Sequence, residues 1–316
     1  MARNGTARDA TGRREFLQAA GSAGLAPPLR NWFAGRGPEP LFRGANDRIN
    51  LAFLGMGSRS SANLAHAAQV PGFHVVAVCD PETKDCGEIL ADPSTDAVCI
   101  AAPVRLQAHF TVRACQAGKD VYVEPPVLVR LEEGPAIVEA ARRCKRVVQA
   151  GTVLRSGVAF QKVREIVRSG ELGGVTFCRI AGANDPMPLI DLVQFLFDEA
   201  APVSLDAQGG AGAIGITLRY PGFIASYQSR PGPWGVSIHG SKATLTVNRS
   251  GYSLFPAGPE QTAMEQRCDP HVAHWKNFLE CIRTRGRPAG DIEACVRSTE
   301  VRLRAGLAMR HGWISG

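Results

Sequence analysis

The sequence predicts an α/β chain: a first half in which helices wind about a parallel sheet, and a second half of α+β type with an open antiparallel sheet. Three observations predict it. Short apolar runs at 49–54, 73–79, 97–102, 121–123 and 147–150 alternate with segments of helical spacing, as βαβ units require. Those runs are apolar throughout, the mark of strands covered on both faces. Beyond residue 200 the spacing changes to strict alternation. Ile216, Leu218 and Tyr220 face one way, Thr217 and Arg219 the other; Ala243, Leu245 and Val247 alternate with Thr244 and Thr246. That is antiparallel sheet with one solvated face.

The elements follow in order. The run 49–54 ends at Gly55 and reads as a buried strand. Residues 60–70 carry Leu64, Ala67 and Ala68 at helical spacing. The strand 73–79 ends at Asp80, and only a stub helix around 86–90 fits before the strand 97–102. Residues 107–117 read as a helix closed by Gly118. The strand 121–123, a helix at 131–143 with Ile137, Val138 and Ala141 on one face, and the strand 147–150 complete this half at Gly151. A helix at 158–169, a strand at 175–181 and a helix at 186–197 open the second half. Helices at 271–283 (Val272, Trp275, Leu279, Ile282) and 291–310 (Ile292, Val296, Thr299, Leu303) close it.

Composition bounds the function. The 316 residues are 45% hydrophobic and 21% charged, enough for a sizeable core. No apolar run reaches the roughly 18 residues of a membrane span. The net charge is +7, yet the basic residues are scattered and no basic stripe interleaves with aromatics, so nucleic acid is not an expected partner. Nine cysteines without a C-x-x-C pair argue against a disulfide scaffold, and Cys79 and Cys99 read as small core residues.

The stretch Thr11-Gly12-Arg13-Arg14-Glu15-Phe16-Leu17-Gln18 resembles a bacterial twin-arginine export signal, followed by a mild apolar run to Leu29. Residues 1–46 are therefore expected to be a leader outside the fold, and the protein is expected outside the cytoplasm; a disordered basic arm on a cytoplasmic protein is the other reading.

Gly55-Met56-Gly57-Ser58-Arg59-Ser60 follows a strand and opens a helix. Gly55 permits the tight turn, and Gly57 removes a side chain where backbone must approach a pyrophosphate. The helix start offers free N–H groups and a positive dipole end. Ser60 stands at the third glycine position of G-x-G-x-x-G and is small enough for close helix–strand packing. Asp80 ends the second strand, where an acid holds ribose hydroxyls and repels a 2′-phosphate, so NAD is expected over NADP. Residues 47–151 are thus expected to be a Rossmann dinucleotide-binding domain, and 152–316 an α+β domain for substrate or oligomer contacts.

Longer stretches carry a resemblance: 91–98 before the third strand, Ala114-Cys115-Gln116-Ala117-Gly118-Lys119-Asp120-Val121-Tyr122-Val123-Glu124, Gly151-Thr152 with Arg155-Ser156-Gly157, and 277–283. With these the chain from Arg48 onward resembles the Gfo/Idh/MocA family of NAD(P)-dependent sugar and cyclitol oxidoreductases. The resemblance implies hydride transfer between nicotinamide and a sugar-like substrate, cofactor contacts at Ala102, Pro103 and Glu124 besides the glycine turn, and a homo-oligomer built on the open sheet.

Four departures accompany it. The family's Glu-Lys-Pro is Glu124-Pro125-Pro126, which lacks the usual catalytic lysine. The family's histidine, three residues before an aspartate that aligns with Asp191, is Pro188. The loop after the third strand reads Ala102-Pro103-Val104-Arg105 instead of Thr-Pro followed by Asn or Asp and histidines. The chain is also shortened, between Asp80 and Asp96 and again after Ala181. Asp191 is the remaining candidate catalytic carboxylate. The expectation is an oxidoreductase with a degenerate active site, the alternatives being a non-catalytic NAD-binding protein or an NAD-dependent glycosidase. His109 reads as a helix residue, His271 and His274 as part of a packing helix with no metal expected, and Arg283, Arg285 and Arg287 as surface.

Overall fold

The computed structural model describes residues 48–83, 85–182, 185–210, 213–229, 234–256, 262–265, 269–311 and 314–315. The expected leader lies outside the described residues. Five strands form a parallel sheet in the order β2-β1-β3-β4-β5: β1 Ile49–Leu54, β2 Phe73–Cys79, β3 Ala97–Ile100, β4 Asp120–Val123 and β5 Val148–Ala150. Leu51, Ala52, Phe53 and Leu54 on the interior strand β1 are all 0% exposed, which is why the runs read as uniformly apolar.

Helices α1 (Ser58–Ala67), α2 (Gly87–Ala91), α3 (Val104–Gln116) and α4 (Glu133–Arg143) connect these strands. The stub α2 is where the spacing places it. Helix α3 begins earlier than its apolar periodicity, because Pro103 sets the extended backbone of the N-cap. It ends at Gln116, and Gly118, whose φ is 78°, starts the turn into β4. The Gly118-Lys119-Asp120 segment is then explained by its contacts. Buried Lys119 donates to the Asp92 and Thr95 carbonyls at 2.7 and 2.8 Å, fixing the turn before β3. Asp120 accepts the Val147 amide at 2.8 Å.

A short 3-10 turn, Val153–Ser156, leads into the second half: α5 Val158–Ser169, β6 Val175–Gly182, α6 Met187–Leu196, β7 Ser204–Gly210, β8 Ala213–Tyr220, β9 Phe223–Ser229, β10 Gly235–Gly240, β11 Ala243–Asn248, β12 Gly251–Pro256 and β13 Thr262–Glu265. Helices α7 (Pro270–Thr284) and α8 (Ile292–His311) and the strand β14 (Ile314–Ser315) close the chain. The described strands join in the order β13-β12-β11-β10-β6-β9-β8-β7-β14. The sheet is antiparallel except at its centre, where β6 and β9 run parallel. One face packs on α5, α6 and the second half of α8; the other carries Phe177 and Phe255 to the surface.

Three contacts go beyond the sequence pattern. Helix α7 lies far along the chain, yet Trp275, Phe278, Leu279 and Ile282 pack with Leu51, Phe53, Tyr122 and Leu64 against the parallel sheet. Trp275 stacks on Tyr122 with centroids 4.1 Å apart. The spatial unit around the parallel sheet thus takes in a helix from beyond residue 151. Cys79 is also no lone core thiol: the turn after β2 brings its Cα within 6.0 Å of that of Cys86, and the two form a disulfide. Arg285 is not merely surface either. It donates to Asp120 at 2.7 and 2.9 Å and ties the end of α7 to the start of β4.

Candidate functional site

Ligands of such sheets bind beyond the carboxyl ends of the strands. Here those ends are β1 with Gly55, β3 with Ala101 and Ala102, β4 with Glu124 and β5 with Gly151. They stay in register beyond the strands, because the Ala101 amide donates to Leu54, Glu124 to Ile100 and Gly151 to Val123. Glycine is required at 55: φ is +116°, and a Cβ would lie 2.4 Å from the Ala101 carbonyl oxygen. At Gly57 the situation is the reverse. Its backbone is ordinary (φ −73°, ψ 179°), and a Cβ would meet nothing within 4 Å. The open space lies at the N-terminus of α1, whose first-turn amides receive no side-chain cap. This fits a phosphate group seated on Ser58, Arg59 and Ser60. Ser60 is buried, as its substitution for the third glycine requires.

Asp80 stands at the end of β2, half-buried. Its Oδ1 accepts the Glu82 amide at 3.0 Å, which orients the carboxylate. Ala102 is buried and its carbonyl accepts from Gln107 at 2.9 Å, pinning the loop that Pro103 ends. Glu124 is buried against α1: Asn63 donates to its Oε1 at 2.7 Å and Arg59 lies 3.4 Å from Oε2. Burial raises its pKa, partly offset by Asn63 and Arg59. Together these residues form one wall, joining the helix that presents amides to the strand end where Glu124 sits.

At the two expected reaction-centre positions, Pro125 is half-buried and Pro188 is exposed in the first turn of α6. Neither offers a donor or acceptor side chain. Asp191, on the same helix, is 2% exposed, and both its oxygens are engaged. Arg155 donates to Oδ2 and Oδ1 at 2.8 Å each, and Ser298 donates to Oδ1 at 2.9 Å. The guanidinium also bonds Glu199, through Nη1 and, at 3.1 Å, through Nη2. Burial opposes the charge on Arg155, but the Asp191 and Glu199 carboxylates overcome it and hold the guanidinium firmly protonated. Nothing in the spacing pairs Arg155 with Asp191; the signal was the Arg155-Ser156-Gly157 stretch itself.

The next residue is fixed as firmly. His274, 0% exposed on α7, has its Nε2 2.7 Å from the Ala150 carbonyl, so that nitrogen carries the proton. Ser156 therefore donates to Nδ1, also at 2.7 Å. Burial pushes the His274 pKa down to about 4, so the ring is neutral. His109 is exposed on α3.

Residues 45–152 match the GFO_IDH_MocA family model, described as an oxidoreductase family with an NAD-binding Rossmann fold. An uncharacterized oxidoreductase of Rhizobium meliloti is 38% identical over 88 residues, 28% of this chain and 26% of its own. The scyllo-inositol 2-dehydrogenase (NAD(+)) of Bacillus subtilis is 27% identical over 143 residues, 40% of this chain and 42% of its own. The matched segments thus span less than half the length of these curated relatives. Among solved structures, an inositol dehydrogenase homolog from Azotobacter vinelandii complexed with NAD+ superposes with a TM-score of 0.76 at 17% identity, covering 87% of this chain and 98% of that one. The aldose-aldose oxidoreductase of Caulobacter crescentus gives 0.74 at 18% identity, covering 85% and 100%. These likenesses show the same two-sheet fold.

Proposed function

We infer, for a chain whose residues 45–152 match the Gfo/Idh/MocA family of NAD-binding oxidoreductases, that it binds NAD(H) and a cyclitol or sugar but lacks the groups that move the proton. The observation that carries this reading is the fate of the reaction-centre positions. Pro125 and Pro188 stand where lysine and histidine act in the family, and Asp191 is committed to Arg155 and Ser298.

The cofactor half is complete. The amides of Ser58, Arg59 and Ser60 would hold the pyrophosphate, Gly57 would let it approach, and Asp80 would hold the adenosine ribose, a carboxylate that favours NAD over NADP. Ala102, Pro103 and Glu124 would flank the path to the nicotinamide end. Bound there, nicotinamide supplies hydride transfer to or from a carbinol carbon. The chain's own task would be to orient that carbon and accept the hydroxyl proton. A positioned base contributes about 10²- to 10⁴-fold to such a step, and no side chain at the two expected positions can act as one.

Calorimetry with NAD+, followed by a dehydrogenation screen over myo-inositol, scyllo-inositol and common aldoses, tests this. The expected result is saturable NAD+ binding, with turnover absent or about 10²- to 10⁴-fold below an intact site. Pro125→Lys combined with Pro188→His is expected to raise turnover. Failure to bind either dinucleotide, or turnover in the ordinary range of about 1–10³ per second, would overturn the reading.

A further inference from the structure

We propose that His66, Asp269 and His271 form a binding site for a divalent cation of the zinc type, clasping the end of α1 to the start of α7. The three side chains come from opposite ends of the chain, and one potential ligand atom from each lies within 4.8 Å of the others. His66 Nε2 is 3.7 Å from Asp269 Oδ2, and His271 Nδ1 is 3.0 Å from Asp269 Oδ1. Ligands about 2.0–2.1 Å from a tetrahedral zinc lie roughly 3.4 Å from one another, so the spacing suits one shared ion. Two imidazoles and one carboxylate are a borderline donor set that suits zinc, with water as the remaining ligand.

A helix cap plus an ion pair explains only part of this arrangement. Asp269 is the N-cap of α7, and its Oδ1 accepts both the His271 amide, at 2.8 Å, and the ring. That accounts for Oδ1. It leaves Oδ2 facing His66 beyond hydrogen-bonding distance.

The surroundings set the expected strength. The carboxyl end of α1 favours a cation, the amino end of α7 opposes it, and the Asp269 charge offsets the latter. Arg59 is 65% exposed and only weakly repulsive. The His66 and His271 rings are stacked, with centroids 4.6 Å apart and planes at 15°. Their lone pairs converge after His271, the more exposed ring, turns about its terminal torsion, which has a broad minimum. The ion would stiffen the contact between the helix that faces the dinucleotide phosphates and the helix that carries Trp275.

The test uses the full chain, stripped with chelator and titrated with zinc chloride by calorimetry and with cobalt(II) by visible absorption. The expected result is one equivalent bound with tetrahedral cobalt bands, weakened at least tenfold by His271→Ala, by His66→Gln and by Asp269→Asn. The last variant keeps the helix cap, because asparagine caps as well as aspartate. His271 lies at the exposed end of the cluster, so a failure of the His66 variant to fold leaves two informative variants. No stoichiometric binding by the wild-type chain, or binding that survives all three substitutions, would overturn the proposal.

Discussion

At the scale of single residues, Asp191 is held in a buried clamp by Arg155 and Ser298. Removing one partner from a buried, bidentate ion pair leaves the other charged and unpaired, at a cost of about 3–5 kcal/mol. Asp191→Asn leaves Arg155 only Glu199 as a carboxylate partner, so it is expected to lower the unfolding free energy read by denaturant titration by up to about that amount, while NAD+ affinity changes little. A variant that kept its stability and lost turnover would instead mark Asp191 as a reaction base. His274 gives a pH signature. Its pKa in the fold is about 4, against 6.5 for the ordinary ring, so between those values the unfolded chain binds the proton that the native one refuses. Its contribution is fully present above about pH 6.5 and is lost as the pH falls towards 4, a total on the order of 3 kcal/mol. Chemical denaturation across that window, compared with His274→Gln, checks the sign: the slope should flatten in the variant. Asp191 was visible in the sequence only through the family resemblance, which aligns it with the family's aspartate. Its true partner was not, because a salt bridge between a 3-10 turn and a helix leaves no periodic trace.

At the scale of the element, the turn from β1 to α1 contains two glycines with different duties, and substitution separates them. Gly55→Ala meets the Ala101 carbonyl and a positive φ, so it should cost more than about 2 kcal/mol of stability. Gly57→Ala has an ordinary backbone and open space, so the chain should fold with a loss under about 1 kcal/mol from the poorer cap. Its methyl group would nonetheless stand where the pyrophosphate must approach. A weakening of NAD+ binding by at least tenfold is expected, read by calorimetry beside a thermal melt. Equal affinity in wild type and Gly57→Ala would move the dinucleotide away from this turn. Most of this element was legible in the sequence, since strand, turn, helix and acid are all local. The disulfide from Cys79 to Cys86 was not, since a spacing of seven residues shows a possible loop but not whether it folds back.

At the scale of the whole molecule, what escaped the sequence is long-range pairing. Helix periodicity located α7 and α8 but could not say which sheet they cover, nor that β6 and β9 would meet in parallel across a helix and two intervening strands. Those placements join the halves. Helix α8 sends Ile292, Cys295 and Val296 into the core of the parallel sheet and Val301, Ala305 and Ala308 into that of the second. Helix α7 closes the other face of the parallel sheet with Trp275 and Phe278. Neither sheet keeps its cover if the last two helices leave, so the halves should unfold together. Far-ultraviolet and near-ultraviolet dichroism are expected to report one coincident thermal transition. NAD+ at about 100 times its dissociation constant adds about 2.7 kcal/mol to the native state, and should move that whole transition up by roughly 5–10 °C. A melt that splits under NAD+, with only one phase shifting, would mean that the cofactor half folds without the helices that the second half returns to it.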